Sequence, residues 1–284
     1  MVERDTGIMG MLHPGAMGAA VAAQAVAAGT TVRWLPAGRS AATRRRAEAI
    51  GLLPAADLRE LADGCGTLVS VCPPAAALDV AEEVAAAGFG GLYVDANAIS
   101  PQRTAEIAEV LAPGGATVVD GGITGPPPRT AGTTRLYLSG DASAVGRVSA
   151  LFAGTVLETV ALDGPVGRAS ALKLAYAAYN KISHALAAQA CALAAGHGVL
   201  DDLLALTAHT MPETPFGSPA RLTSAGAKAW RWEGEMREIA RTWQLAGLPT
   251  DFADAAAGTF ARWTEHKDDP EVSAARLIED LRTE

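Results

Sequence analysis

Between Gly167 and Gly196 the chain runs without a proline through mostly alanine and leucine, and within that run stand Lys173, Tyr176, Asn180 and His184. At 100° per residue, a helix would gather all four within roughly 80° of one another. A lysine among apolar neighbours loses part of its preference for the charged form, so its amine can trade a proton near neutral pH. That is what is required of a group that takes a hydroxyl proton while hydride leaves the same carbon. Lys173 is therefore the candidate acid/base, with Tyr176 and Asn180 as its orienting hydrogen-bond partners. The alternative is a polar face shown to water, with Lys173 snorkelling. His184 reads as a core or partner-helix histidine.

Hydride chemistry needs a carrier, and the N-terminus offers a place for one. Gly7 to Leu12 reads as a buried strand, His13 to Gly15 as a sharp turn and Ala16 onward as a helix. Such a turn aims free N–H groups and the positive helix end outward, which suits a pyrophosphate. The segment His13-Pro14-Gly15-Ala16-Met17-Gly18 departs from Gly-x-Gly-x-x-Gly by placing His13 at the first glycine. Taken alone it fits a glycine turn without a ligand equally well. After the second strand, Thr30 to Leu35, no acidic residue stands where a ribose 2′-hydroxyl would be read. Arg39 and Ser40 stand there instead, with Arg44 to Arg46 beyond, and a guanidinium plus a hydroxyl suit a 2′-phosphate. NADP(H) is thus favoured over NAD(H), the alternative being a solvated helix start.

The elements that must position these groups alternate. Strands at 66–72, 91–95 and 117–120 are separated by helical stretches, which implies a parallel sheet wound on both faces. Cys72-Pro73-Pro74, Asp95-Ala96-Asn97 and Asp120-Gly121-Gly122 fall at the carboxyl ends of those strands, where such sheets gather ligands. A further strand at 134–140 is expected to run antiparallel. From about residue 164 the pattern turns helical. The long helix, about 45 Å if unbroken, is the spine of a second domain, followed by helices near 201–207, 234–246, 250–266 and 271–281. The expected organisation is an α/β Rossmann domain over 1–163 and an all-α domain for substrate and dimerisation over 164–284, built on a long interdomain helix.

These motifs together resemble the β-hydroxyacid dehydrogenase family, which includes 3-hydroxyisobutyrate and 6-phosphogluconate dehydrogenases and has imine reductases as relatives. The resemblance spans nearly the whole chain. It rests on the His13–Gly18 fingerprint, on Asp95 to Pro101, on Asp120 to Pro126 for the substrate loop, and on Gly167 to Lys173 for the catalytic segment. His13-Pro14-Gly15-Ala16-Met17-Gly18, Cys72-Pro73-Pro74 and Gly125-Pro126-Pro127-Pro128 look like a branch with a phosphogluconate-dehydrogenase-like C-terminal half. The resemblance implies that Asn97 lies by the nicotinamide and that Ile123, Thr124 and Gly125 receive the substrate's acid group. It makes Lys173 the acid/base and aligns Arg237 with a family lysine, a cofactor-side position. It also implies that the spine helices of two subunits pair. Pro126 replaces a glycine of the substrate loop and Ala177 an amide, and both weaken the case for a small β-hydroxyacid. Trp232, with Trp230, Met211 and Phe216, either lines an apolar substrate pocket or packs in the core.

Composition narrows the remaining classes. The net charge of −8 without a long basic run excludes nucleic acid as an expected partner. Cys65, Cys72 and Cys191 form no CxxC pair, so no metal site is expected and the thiols read as reduced, as in the cytoplasm. Met1 to Asp5 does not open a signal-type segment, and no apolar span is long enough for a bilayer. The expected activity is an NADP-dependent oxidoreductase acting on a hydroxyl or carbonyl compound, with a hydroxy acid as the expected substrate class. The alternatives are a C=N reductase, which the lysine disfavours, a decarboxylating variant, and a non-catalytic NADP-binding sensor.

Overall fold

The computed structural model describes residues 7–269 and 271–282; the N-terminal segment read above for a targeting signal lies outside them. The chain divides into two compact units, one ending at Lys173 and the other beginning at Leu174. The division falls inside the long helix rather than ahead of it at residue 164.

In the first unit, β1 (Ile8–Met11), α1 (Ala16–Ala27), β2 (Thr31–Trp34), α2 (Ala41–Ala49), β3 (Leu53–Pro54), α3 (Leu58–Gly64) and β4 (Thr67–Ser70) follow in turn. They are succeeded by α4 (Ala77–Ala86), β5 (Leu92–Asp95), α5 (Pro101–Leu111), β6 (Thr117–Thr124), β7 (Arg135–Gly140), α6 (Ala142–Ala150) and β8 (Glu158–Ala161). The eight strands form one sheet in the order β3-β2-β1-β4-β5-β6-β7-β8. Only the β6–β7 pair is antiparallel, as the sequence predicts.

Side-chain alternation along the central strands builds two cores. Val69, Val94 and Val119 join α1 and α6 on one face, while Leu68, Tyr93 and Val118 join α3, α4 and α5 on the other. A strand buried on both faces is apolar along most of its length, which is why these segments read as hydrophobic runs closed by a polar residue. The edge strands β3 and β8, and helix α6, are not anticipated from the sequence.

The long helix α7 (Arg168–Gly196) leaves the first unit and continues through the second, which adds α8 (Leu200–Thr210), α9 (Pro219–Gly226), α10 (Ala229–Leu245), α11 (Asp251–Ala261) and α12 (Ala274–Asp280). Helix α9 is unanticipated, α10 starts at Ala229 rather than near Gly234, and α11 stops at Ala261. In this unit Ala177, Ala178, Ala185 and Ala188 of α7 face Met236 and Ile239 of α10 and Phe260 of α11. The nearly buried Lys181 is paired with Glu235. Among the described residues no helix is long and apolar enough to cross a membrane.

Candidate active site

The turn from β1 into α1 is shaped by what it lacks. A Cβ on Gly18 would collide with the backbone oxygen of His13, so the helix start lies against the turn only because Gly18 has none. Outward of Gly15 nothing stands within 4 Å. Gly15 provides no side-chain cap for α1, and no acid sits in the first turn. The first-turn N–H groups of Ala16 and Met17 therefore open an electropositive helix end. Pro14 is buried and Met17 packs against the core.

Arg39 reaches back over this turn, its terminal nitrogen 3.4 Å from the oxygen of Leu12. Its Nε and His13 Nδ1 are buried without a hydrogen-bond partner among the described residues. Burial, and secondly the Arg39 charge, push His13 down to about 4. Ser40 has a local task, accepting a hydrogen bond from Thr43 N at 3.2 Å as the cap of α2. A buried guanidinium N–H left unsatisfied beside an open helix end fits an anionic dinucleotide.

The neighbouring strand ends are cross-braced. Asn97, 2% exposed, accepts from Cys72 N at 2.6 Å and donates to Ser70 Oγ at 3.1 Å and to Asp95 Oδ2 at 2.8 Å. Its amide is thus spent on holding the Cys72-Pro73-Pro74 loop rather than turned outward. Burial pushes Asp95 up to about 7, offset by two hydrogen bonds from Asn97 and reinforced by the Asp120 charge. The Cys72 thiol rises to about 11, again by burial first, so it stays protonated.

At the end of β6, the chain brings Lys173 to the sheet. A Cβ on Gly122 would stand 2.7 Å from Ala169 O and 3.1 Å from Lys173 Cβ. The missing side chain is what lets α7 lie against the strand at this lysine. Two residues earlier, the wholly buried Asp120 accepts from Gly167 N, Ser170 N and Ser139 Oγ at 2.8, 3.0 and 3.0 Å, and from Ser170 Oγ at 2.6 Å.

Beyond β6 the loop of Pro126, Pro127 and Pro128 is pinned. Thr134 Oγ1 donates to Pro126 O at 2.6 Å, and Gln24 Nε2 of α1 donates to Pro128 O at 3.1 Å. Gly125 has φ +109, with Thr133 O where a Cβ would be. The side chain of Ile123 is turned into the sheet core and Thr124 is half-buried, so what the loop can offer a substrate there comes from its backbone and the Thr124 hydroxyl.

Of the remaining expected residues, Tyr176 and Asn180 are exposed on α7, and His184 Nδ1 lies 2.7 Å from Asn180 O. Trp232 is half-buried, edge-on to His184 at 5.4 Å and to Phe260 at 5.3 Å, which accords with core packing. Arg237 is exposed and paired with Glu233 one turn earlier at 2.7 Å, an engagement within its own helix.

Sequence reasoning passed over Asp95, Asp120, Ser139 and Ser170 as working groups. The available signal was an acid closing each of two apolar strands, Tyr93-Val94-Asp95 and Val118-Val119-Asp120.

Residues 6–160 match the family model described as the NAD binding domain of 6-phosphogluconate dehydrogenase, and residues 194–263 match Domain of unknown function (DUF1932). A search of the curated proteins returned no match. Among solved structures, the chain is similar to Mycobacterium tuberculosis 3-hydroxyisobutyrate dehydrogenase with L-serine, at 18% identity and TM-score 0.76, over 98% of this chain and 100% of that one. It is similar to the Salmonella typhimurium 3-hydroxyisobutyrate dehydrogenase at 21% identity and TM-score 0.75, over 97% and 99%. A reductive aminase from Aspergillus terreus in complex with NADPH and ethyl levulinate matches at 20% identity and TM-score 0.59, over 98% and 100%. These three likenesses are of fold, whereas the family model covers more than half of the chain and matches the unit that carries the glycine turn. The chain therefore belongs to the family of the 6-phosphogluconate dehydrogenase NAD binding domain, as a β-hydroxyacid dehydrogenase-like NAD(P)-dependent oxidoreductase.

Proposed function

We propose that the protein uses NADP(H) to interconvert a carbonyl and a hydroxyl compound, with Lys173 as the acid/base. The observation that carries this reading is the seat of Lys173 against Gly122. Gly122 lies beyond Asp120, and Asp120 pairs in parallel with Asp95, so the lysine stands at the carboxyl end of the parallel strands. Ligands of such sheets bind at that end, where the open start of α1 also lies. When bound, the dinucleotide supplies or accepts the hydride. The chain's own part is the proton: Lys173 Nζ gives it to the carbonyl oxygen in reduction and takes it from the hydroxyl in oxidation. Tyr176 and Asn180 orient the substrate oxygen, Trp232 and Arg237 serve substrate and cofactor in the helical domain, and Asn97 serves the cofactor by bracing its loop.

Preference for NADP rests on Arg39, whose Nε has no hydrogen-bond partner among the described residues, and on the lack of an acid after β2. Arg39→Ala should weaken NADPH binding about 10- to 100-fold, the scale of one charge-assisted contact, and leave NADH binding unchanged. Fluorescence titration reads both, and equal losses would remove the 2′-phosphate from the argument.

A second reading, reduction of a C=N bond, is favoured by the proline loop. Pro126, Pro127 and Pro128 contribute no N–H donors for a carboxylate. NADPH oxidation with a panel of keto acids and cyclic imines, on the wild type and Lys173→Ala, separates the two. Tight NADPH binding with no turnover on any member would point to a sensor.

Residues 1–163 serve in this reading as the NADP-binding domain and 164–284 as the substrate and dimerisation domain of a cytoplasmic homodimer. The cysteines are unpaired, as in a reducing compartment. Tyr179, Leu186 and Leu193 are 81%, 68% and 67% exposed at seven-residue spacing, about 140° round α7 from Lys173. A seam of that period suits an identical helix from a second copy. Light scattering should give twice the 28.9 kDa chain mass, and Leu186→Glu with Leu193→Glu should return it to the monomer's.

A further inference from the structure

The start of α7 is capped by the sheet rather than by its own sequence. Gly167, at φ +99, has no side chain to cap the helix that follows it. The N–H groups of Gly167 and Ser170 go to Asp120 on β6, and that of Ala169 goes to Ser139 Oγ on β7 at 3.0 Å. Ser139 in turn donates to Asp120, and Ser170 Oγ closes the set on the other carboxylate oxygen, with Thr104 Oγ1 of α5 3.1 Å away. Every member is buried: Asp120, Ser139 and Thr104 are 0% exposed and Ser170 is 1%.

This network fixes more than a helix end. Lys173 follows Ser170 by three residues, so the two lie one above the other on the helix. Gly122 follows Asp120 by two, so those two share a face of β6. The carboxylate grips the first turn at Ser170, and the glycine admits the second turn at Lys173. Depth and rotation of the helix are both set by one strand.

We propose that Asp120, acting through Ser139 and Ser170, is the positioning residue for the Lys173 amine. This rests on the reading of Lys173 as the acid/base. Asp120 touches no reacting atom; it determines where Nζ is presented. A displacement of about 1 Å at a proton-transferring group can cost about 100-fold in rate.

The test compares Ser170→Ala, Asp120→Asn and Lys173→Ala. On the cofactor-free protein, trinitrobenzenesulfonate labelling of Lys173 is followed by peptide mass spectrometry, with hydrogen exchange of the 165–175 segment alongside. Both Ser170→Ala and Asp120→Asn should change the Lys173 labelling rate at least fivefold and lose exchange protection in that segment alone. With the best carbonyl of the panel above, kcat should fall about 10-fold in Ser170→Ala and about 100-fold in Asp120→Asn, while KM and the NADPH dissociation constant stay within twofold. Ser170→Ala carries the test if Asp120→Asn does not fold. An unchanged labelling rate despite lost protection, or a loss of kcat matched by an equal loss of NADPH binding, would overturn the proposal. Full turnover in Lys173→Ala would overturn the acid/base reading instead, and the labelling result would stand apart from it.

Discussion

Asp95 and Asp120 occupy paired positions on neighbouring strands, both wholly buried, and the molecule uses them differently. Asp95 draws both of its hydrogen bonds from one residue, Asn97, and through it steadies a loop. Asp120 draws four from three residues and, with them, anchors a helix. The first leaves a buried acid short of donors, and its proton affinity rises accordingly. The second shows that a carboxylate buried among enough donors can organise distant parts of a chain.

Removing the side chains should widen this difference. Asp120→Ala strands donors on Gly167, Ser170 and Ser139 in a dry interior, with an expected loss of about 3–5 kcal/mol. Asp95→Ala strands only the two donors of Asn97 and also relieves a buried acid, so about 1–2 kcal/mol is expected. Urea unfolding of the two variants measures both, and equal losses would mean that donor number is not what separates the sites.

A second effect should appear in the pH dependence. The folded value of Asp95, about 7, lies above the unfolded 3.8, so the native state holds the extra proton between them. Stability then falls as pH rises from about 4 to about 7, by up to about 4 kcal/mol. His13 works in the opposite sense: its folded value of about 4 lies below 6.5, so its contribution is lost as pH falls through that interval. Asp95→Asn removes the first trend and leaves the second. An unchanged slope in that variant would show that Asp95 carries no proton in this range.

A change in stability is also expected from Gly122→Ala. The added Cβ would press on Ala169 O and Lys173 Cβ, costing about 1–3 kcal/mol as the helix shifts. Its turnover should suffer more than its stability, because the displaced residue is the lysine itself. Wild-type turnover in this variant would show that the close approach has no bearing on the chemistry.

What could be read from the sequence follows the range of the interactions concerned. The glycine turn, the buried strands and the antiparallel β7 were legible because periodicity and turn chemistry are local. Strand β3 has two residues at an edge and β8 is only half-buried, so neither carries a clear hydrophobic signature. Lys173 was legible as a cation within the polar stripe of an alanine-rich run, but its seat on Gly122 lies 51 positions away and was invisible. The bonds from Asp120 to Gly167 and Ser170 likewise span 47 and 50 positions. Asn97 was legible as a member of a motif, whereas the direction its amide faces was decided by Ser70 at the end of β4 and Cys72 in the loop after it.

The bond from Gln24 to Pro128 ties the triple-proline segment to the same helix whose start is open to phosphate. Three consecutive residues with fixed φ leave that segment few ways to bend, and the amide of Gln24 fastens it to a rigid rod. Restrained in this way, the segment stands as a wall beside the helix start rather than as a hinged flap.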